Sequence, residues 1–112
     1  MSQRSIASKD YVPQYPNPLT VRAGDVVHVG ARDDEFPEWW WCRSSEGLEG
    51  WMPTDILELL ATNSARVRED YSAKEIPIAA GDHLTIERSL GGWSLVRNQR
   101  GEQGWVPDTC YR

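Results

Sequence analysis

The chain has 112 residues, of which 39% are hydrophobic and 26% are charged, and its formal net charge is -5 at pH 7. This size and balance fit one ordinary domain or two very small ones in a globular protein, and they argue against a disordered chain. No window approaches the roughly 18 apolar residues of a membrane span. The N-terminus has no apolar run of signal-peptide length. We therefore expect a cytoplasmic protein.

The excess negative charge is confined to the first half of the chain. Residues 1–58 carry five Lys and Arg against ten Asp and Glu, whereas residues 59–112 carry seven of each. Because binding to nucleic acid depends heavily on neutralising phosphate, this balance argues against a nucleic-acid partner and against an anionic membrane. It favours a basic partner or, as the simpler interpretation, an acidic surface that is only solvated.

Four short signals occur twice in the same order. Asp-Tyr stands at residues 10–11 and 70–71, Ala-Gly-Asp at 23–25 and 80–82, Trp at 39 and 93, and Gly-Trp-x-Pro at 50–53 and 104–107. The offset between the copies falls from 60 to 57 to 54 residues, so the second copy has two loops that are each three residues shorter. The sequence therefore predicts two homologous domains, residues 1–60 and 61–112.

Each copy is predicted to be all-β. After Ala-Gly-Asp, Val27 and Val29 alternate with their neighbours, as Leu84 and Ile86 do in the second copy, and this period of two indicates a strand with one buried face. Residues 32–38 and 91–92 predict turns before the tryptophan strands, and residues 44–50 and 98–104 predict turns after them. No stretch has sustained helical periodicity. About five short strands in each copy predict a small barrel.

The order of these signals resembles that of the SH3 domain, and the resemblance spans nearly the whole chain, twice. Residues 7–11 (ASKDY) and 67–71 (VREDY) match the opening motif of the family. The resemblance implies two small SH3-like five-stranded barrels in tandem, which we expect to pack against each other. Lys9, Glu69, Ile56 and Cys110 replace tyrosines that the family usually has, so the chain looks more like the variant SH3-like domains of bacterial proteins.

SH3 domains bind proline-rich peptides in grooves between aromatic side chains, and an acidic loop often holds an Arg or Lys of the ligand. The resemblance implies such a groove in each copy. The positions in the first copy are Tyr11, Trp39, Trp51 and Pro53, with Asp33, Asp34 and Glu35 as an acidic rim. Those in the second copy are Tyr71, Trp93, Trp105 and Pro107, with Glu75 in the comparable loop. The heavier negative charge beside Trp39 makes the first groove the preferred site for a basic segment. Alternatively, these tryptophans only cover the barrel, and the two prolines only start turns.

Strand alternation gives the three consecutive tryptophans separate roles. If the small side chain of Cys42 points into the barrel, Trp40 shares its side, while Trp39 and Trp41 face outward. An outward tryptophan without cover favours a partner. We hypothesise that Trp41 lies between the two domains and helps them to pack; a homodimer contact and a ligand contact are the alternatives.

The sequence contains no pattern that indicates catalysis or a bound metal or cofactor. His28 and His83 do not align between the copies, and no second metal ligand stands near either of them. Phosphate-binding loops and nucleophile motifs are absent. We therefore predict a non-enzymatic interaction module that binds an extended proline- or arginine-containing segment of a partner protein. The alternative is a structural or assembly unit whose aromatic surfaces mediate contacts between the barrels or between protomers, and the oligomeric state is left open.

Overall fold

The computed structural model describes residues 3–13, 18–32 and 34–111. Within these ranges the chain is all-β apart from two 3-10 helices, Thr54–Ile56 and Asp108–Cys110. The strands, in chain order, are β1 (Gln3–Ile6), β2 (Thr20–Val21), β3 (Val26–Arg32), β4 (Trp39–Arg43), β5 (Glu49–Pro53), β6 (Leu57–Ala61), β7 (Ser64–Val67), β8 (Tyr71–Ser72), β9 (His83–Leu90), β10 (Trp93–Asn98) and β11 (Gln103–Pro107). In the part of the chain described, no helix has the length and apolar content to cross a bilayer.

The strands form two compact units whose boundaries differ from the predicted ones. The continuous unit is Asn17–Lys74, with a sheet of order β5-β4-β3-β7-β6 and the short pair β2-β8. The split unit combines Met1–Pro16 with Glu75–Arg112 and has a sheet of order β1-β9-β10-β11. The boundary predicted between residues 60 and 61 therefore falls inside β6 of the continuous unit.

The units differ from the predicted domains because the first strand of each copy pairs with the body of the other copy. β1 runs antiparallel to β9 with Ile6 opposite His83, and β7 runs antiparallel to β3 with Arg66 opposite Val26. The two first strands are 60 residues apart and their partners 57, the same offsets as the Asp-Tyr and Ala-Gly-Asp repeats. The two pairings are therefore equivalent, and the copies have exchanged their N-terminal segments.

Two aspartates accompany this exchange. The Oδ1 atom of Asp70 accepts a hydrogen bond of 2.9 Å from the N–H of Ala23, and Oδ1 of Asp10 accepts one of 2.8 Å from the N–H of Ala80. Each Asp-Tyr motif thus closes the Ala-Gly-Asp turn of the other copy. A sequence pattern cannot indicate which turn an aspartate will close, because the two copies offer the same atoms at equivalent positions.

Burial follows the predicted alternation of the strands. Val27 and Val29 are buried while His28 between them is exposed. The core of the split unit combines Ala7 of the N-terminal segment with side chains from the C-terminal one: Ile76, Ile78, Leu84, Ile86, Val96, Val106 and Cys110. Burying a Val, Leu or Ile side chain stabilises a fold by roughly 1.5 to 3 kcal/mol, so each unit is held together mainly by such a core.

The predicted turn before β10 is a two-residue hairpin. Leu90 and Trp93 are paired, and the two glycines between them, Gly91 and Gly92, have φ of 49° and 84°. Two consecutive positive φ angles suit the twist of a tight hairpin, and glycine adopts them at little cost. This turn places Trp93 at the start of its strand.

Candidate functional site

Tyr11 and Trp93 come together on the split unit. Their ring centroids are 6.1 Å apart and their planes are inclined at 82°, an edge-to-face arrangement. Backbone hydrogen bonds of 2.9 and 3.0 Å with Ile78 fix Tyr11, and the register of β10 and β11 sets Trp93 opposite Pro107. Tyr11, Trp93 and Pro107 are each half-buried. The split unit therefore has an aromatic surface that is formed by the two ends of the chain.

A carboxylate lies next to this aromatic pair. The hydroxyl of Tyr11 donates a hydrogen bond to Oε1 of Glu75, which is itself half-buried. A carboxylate offers about four acceptor sites, so this hydrogen bond leaves capacity for a guanidinium or ammonium group. A cation bound there would lie beside aromatic rings, which also attract positive charge. We call Tyr11, Glu75, Trp93 and Pro107 the split-unit groove.

Trp105, which the sequence predicted at the edge of a groove, is only 4% exposed. It lies opposite Leu95 in the sheet and forms a parallel bridge with Glu75 on the outer side of β11. The expectation of an exposed indole is wrong because the chain segment through Glu75 covers the edge of the sheet at this residue.

A buried hydrogen-bond network supports the turn that carries Pro107. The hydroxyl of Ser94, fully buried, donates to Oδ1 of Asp108 at 2.6 Å and lies 2.8 Å from the hydroxyl of Ser89 and 2.6 Å from that of Tyr111. Because Asp108 directly follows Pro107, the network fixes one side of the groove. Sequence reasoning missed these residues; the available signal was a serine at the position where the first copy has Trp40.

The equivalent positions of the continuous unit are covered. Trp39 is 5% exposed, Tyr71 is 9% exposed and Pro53 is fully buried. The hydroxyl of Tyr71 donates a hydrogen bond of 2.8 Å to the backbone oxygen of Trp51. The expectation that Trp39 faces solvent is therefore wrong, because alternation along a strand indicates the side of a residue but not what covers that side.

The groove residues are also combined differently from the prediction. Tyr11 was assigned to the groove of Trp39, and Tyr71 to that of Trp93. In the structure Tyr11 contacts Trp93 and Tyr71 contacts Trp51. The exchange of the N-terminal segments brings each tyrosine to the other copy.

The remaining tryptophans of the triplet have partners inside the continuous unit. Trp41 packs edge-to-face on Trp51, its cross-strand neighbour, with ring centroids 5.1 Å apart. The indole N–H of Trp40 donates to the backbone oxygen of Gly30 at 2.8 Å, and the guanidinium of Arg32 lies 5.2 Å from its ring centroid. Burial of Trp41 is thus explained without a second domain, and its role between domains stays a prediction.

The acidic rim predicted for the first groove lies in the connection between β3 and β4. Asp34 and Glu35 are exposed, and Asp33 lies outside the described residues. Arg32 partly closes the base of this loop through a hydrogen bond of 2.8 Å from its Nε to the backbone oxygen of Pro37. The rim is exposed, but it belongs to the unit whose aromatic residues are covered.

The two cysteines are core residues. Burial raises the pKa of the Cys42 thiol to about 12, and burial is also the main cause that raises the pKa of Cys110. Both thiols therefore stay protonated near neutral pH, where a protonated thiol is a poor nucleophile. Among the described residues, no group of three or more His, Cys, Asp and Glu side chains is placed to hold a metal ion.

Comparison with known proteins places these observations in a family. The model of a family described as Variant SH3 domain matches residues 4–60, just over half of the chain. Dynamin-binding protein of Homo sapiens is 25% identical over 114 aligned positions, which take in 92% of this chain and 7% of that protein. Apoptosis-stimulating of p53 protein 2 of Mus musculus is 38% identical over 60 positions, with 53% and 5% covered. Myosin-1 of Malassezia globosa is 34% identical over 56 positions, with 50% and 4% covered. The chain thus spans less than a tenth of each of these relatives, and no solved structure matches it.

Proposed function

We propose, since the chain belongs to the variant SH3 family, that it is a non-enzymatic protein-interaction module and binds an extended proline-rich segment of a partner. The proposed site is the split-unit groove. The observation that carries this proposal is the half-buried Tyr11–Trp93 pair with Glu75 hydrogen-bonded to Tyr11.

The groove offers the two contacts that a polyproline-II segment with a basic residue needs. Proline rings pack on aromatic faces, and the polyproline-II helix loses little entropy on binding because it is already extended. Tyr11, Trp93 and Pro107 supply the apolar surface, and Glu75 supplies a carboxylate for an Arg or Lys of the ligand. Ile56 and Cys110 are buried, so the groove has fewer aromatic residues than the family usually has, and we expect weak, micromolar binding.

We further propose that the second half of the chain is a second SH3 domain, and that the two are five-stranded barrels with exchanged first segments. The equivalent pairing of β1 with β9 and of β7 with β3 supports this, as do the two matching hydrogen bonds of Asp10 and Asp70. The relatives named above are animal and fungal proteins. A bacterial origin and a cytoplasmic location stay predictions.

A structural role is the second candidate, and it concerns the continuous unit. Its groove positions Trp39, Tyr71 and Pro53 are nearly or fully buried, which favours a scaffold over a peptide site. In this arrangement the continuous unit stabilises the chain, and the split unit binds.

Removal of one negative charge from the groove tests the proposed function. Glu75→Gln keeps an acceptor for Tyr11 but removes the negative charge, so we expect the affinity for a proline-rich peptide containing one Arg to fall about tenfold. Glu35→Gln, in the exposed loop of the continuous unit, is the matched control and should leave the affinity unchanged. Both affinities are measured by following the tryptophan indole signals in two-dimensional NMR during peptide titration.

Two further comparisons separate the candidates. A peptide with Ala in place of Arg should bind wild type and Glu75→Gln equally, and about 1 M salt should remove most of the preference for Arg, since salt screens exposed charges. If Glu35→Gln weakens binding and Glu75→Gln does not, the peptide binds the continuous unit. If no indole signal of Trp93 or Trp105 moves, the groove does not bind such peptides and the structural role stands.

A further inference from the structure

The strand β1 is the edge of its sheet, and the equivalent strand of the continuous unit is not. β7, which corresponds to β1, lies between β3 and β6, whereas β1 has only β9 as a neighbour among the described residues. In the continuous unit the N–H of Arg68 donates to the oxygen of Ile56 at 2.8 Å, and the chain then continues as β6 beside β7. In the split unit the N–H of Ser8 donates to the oxygen of Cys110 at 2.6 Å, so the same pairing begins there and no described strand extends it.

The outward backbone groups of β1 follow from its pairing with β9. The N–H of Ala7 donates to Asp82 and its oxygen accepts from Gly81, both at 2.8 Å, so Ala7 hydrogen-bonds toward the sheet. Because successive residues of an antiparallel strand hydrogen-bond in opposite directions, Ile6 and Arg4 direct their N–H and C=O groups away from β9. Ile6 is 55% exposed and Arg4 is also exposed. We call the outward groups of Arg4 and Ile6 the β1 edge.

The continuous unit shows what kind of segment such an edge accepts. β6 runs antiparallel to β7 with Glu58 opposite Arg66, and their side chains form an ion pair of 3.2 Å. The position of Arg66 is taken by Ile6 in the split unit, and that of Ser64 by Arg4. Cross-strand neighbours stabilise a sheet when they are both apolar or oppositely charged, so the segment suited to β1 has an apolar residue opposite Ile6 and an acidic residue opposite Arg4.

We propose that the β1 edge is a second binding surface, separate from the split-unit groove, which takes an extended segment of a partner protein as an added antiparallel strand. Addition of a strand to an exposed sheet edge uses backbone hydrogen bonds for affinity and alternate side chains for specificity. The segment carries an apolar residue followed two positions later by Asp or Glu. This proposal does not depend on peptide binding in the groove.

A second copy of the chain fits the β1 edge less well than a partner does. Antiparallel self-pairing centred on Arg4 opposes two guanidinium groups, and pairing centred on Ser5 opposes Arg4 to Ile6; neither is a favourable neighbour. Pairing centred on Ile6 sets Arg4 against Ser8, whose N–H is already bonded to Cys110. A partner segment meets none of these conflicts.

The probe is a peptide derived from the strand that fills the equivalent position. It has the sequence of residues 55–62 with Glu58→Leu and Leu60→Glu, so that Leu faces Ile6 and Glu faces Arg4. At saturating peptide we expect amide hydrogen exchange of Arg4 and Ile6 in the full chain to slow by at least about tenfold, while the indole signals of Trp93 and Trp105 stay in place. The same peptide N-methylated at its position 58 cannot form the central backbone hydrogen bond and should not bind.

A matched pair of variants completes the test. Ile6→Asp should weaken binding at least about tenfold, because it opposes the Glu of the peptide with a second negative charge. Val26→Asp changes an equally apolar residue that is 48% exposed on the continuous unit, and it should have no effect. The proposal is overturned if the peptide does not bind at about 1 mM, if the N-methylated peptide binds equally well, or if the shifts lie at Trp93 and Trp105. Protection of Arg4 and Ile6 that rises with protein concentration alone would replace the partner by a second copy.

Discussion

Deletion of residues 2–13 is expected to unfold residues 75–111 and to leave residues 17–74 folded. The deleted segment contains β1, which pairs with β9, and Ala7, which lies in the core of the split unit. It also contains Asp10, which closes the turn at Ala80. A core in a unit of this size supplies only about 3 to 5 kcal/mol of stability, so the loss of one strand and one part of the core exceeds what the split unit can tolerate.

The tryptophans report the two units separately. In the deletion variant the indole and amide signals of Trp93 and Trp105 should collapse to unfolded positions, while those of Trp39, Trp40, Trp41 and Trp51 keep their dispersion in two-dimensional NMR. Val12→Ser, a substitution in the same segment at a residue that is 75% exposed, should leave the whole spectrum folded. Loss of the first-half signals with survival of the second half would show that the domains are sequential and that the N-terminal segment is not exchanged.

Gly50→Val is expected to destabilise the continuous unit by about 3 kcal/mol and to lower its melting temperature by roughly 12 to 24 °C. A Cβ atom on Gly50 would lie 3.0 Å from the Cβ of Ala73 and 3.1 Å from that of Leu19. Leu19 is fully buried, so it cannot move aside without disturbing the core. Space, and not backbone conformation, requires glycine here, because Gly50 is not among the glycines with positive φ.

Gly30→Ala is the matched control for Gly50. Gly30 also lies in a strand of the same sheet, but a Cβ there would be 3.6 Å from its nearest neighbour, the backbone oxygen of Trp41, which is an ordinary contact. We expect its melting temperature to equal or slightly exceed that of wild type, since alanine loses less entropy than glycine on folding. Thermal unfolding followed by circular dichroism measures both. A Gly50→Val protein that melts within about 3 °C of wild type would contradict the close approach of Leu19 and Ala73 to β5.

The strands and turns could be predicted from the sequence because they depend on local patterns. Alternation of Val27 and Val29 indicated a buried face, and Gly91-Gly92 indicated a hairpin; both are confirmed. The pairing of the first strands could not be predicted, since β1 and β7 offer equivalent pairing positions and either could lie beside β3 or β9. Choosing between them depends on the path of the chain in three dimensions and not on any residue in the motif.

The candidate site was predicted by residue type but not by combination. Tyr11, Trp93, Pro107 and Glu75 were all identified from the repeat, and the structure brings them into one groove. The preference for Trp39 rested on nearby negative charge, which says nothing about burial. Trp39 is covered, so the charge and the accessible aromatic surface lie on different units.

The most direct test of the exchanged segments is a nuclear Overhauser measurement between the ring protons of Tyr11 and the indole protons of Trp93 in dilute, monomeric protein. With ring centroids 6.1 Å apart and an edge-to-face geometry, we predict a strong cross-peak between these two side chains. A cross-peak from Tyr11 to Trp39 in its place would mean that each copy keeps its own N-terminal segment, and the split-unit groove would not exist as described.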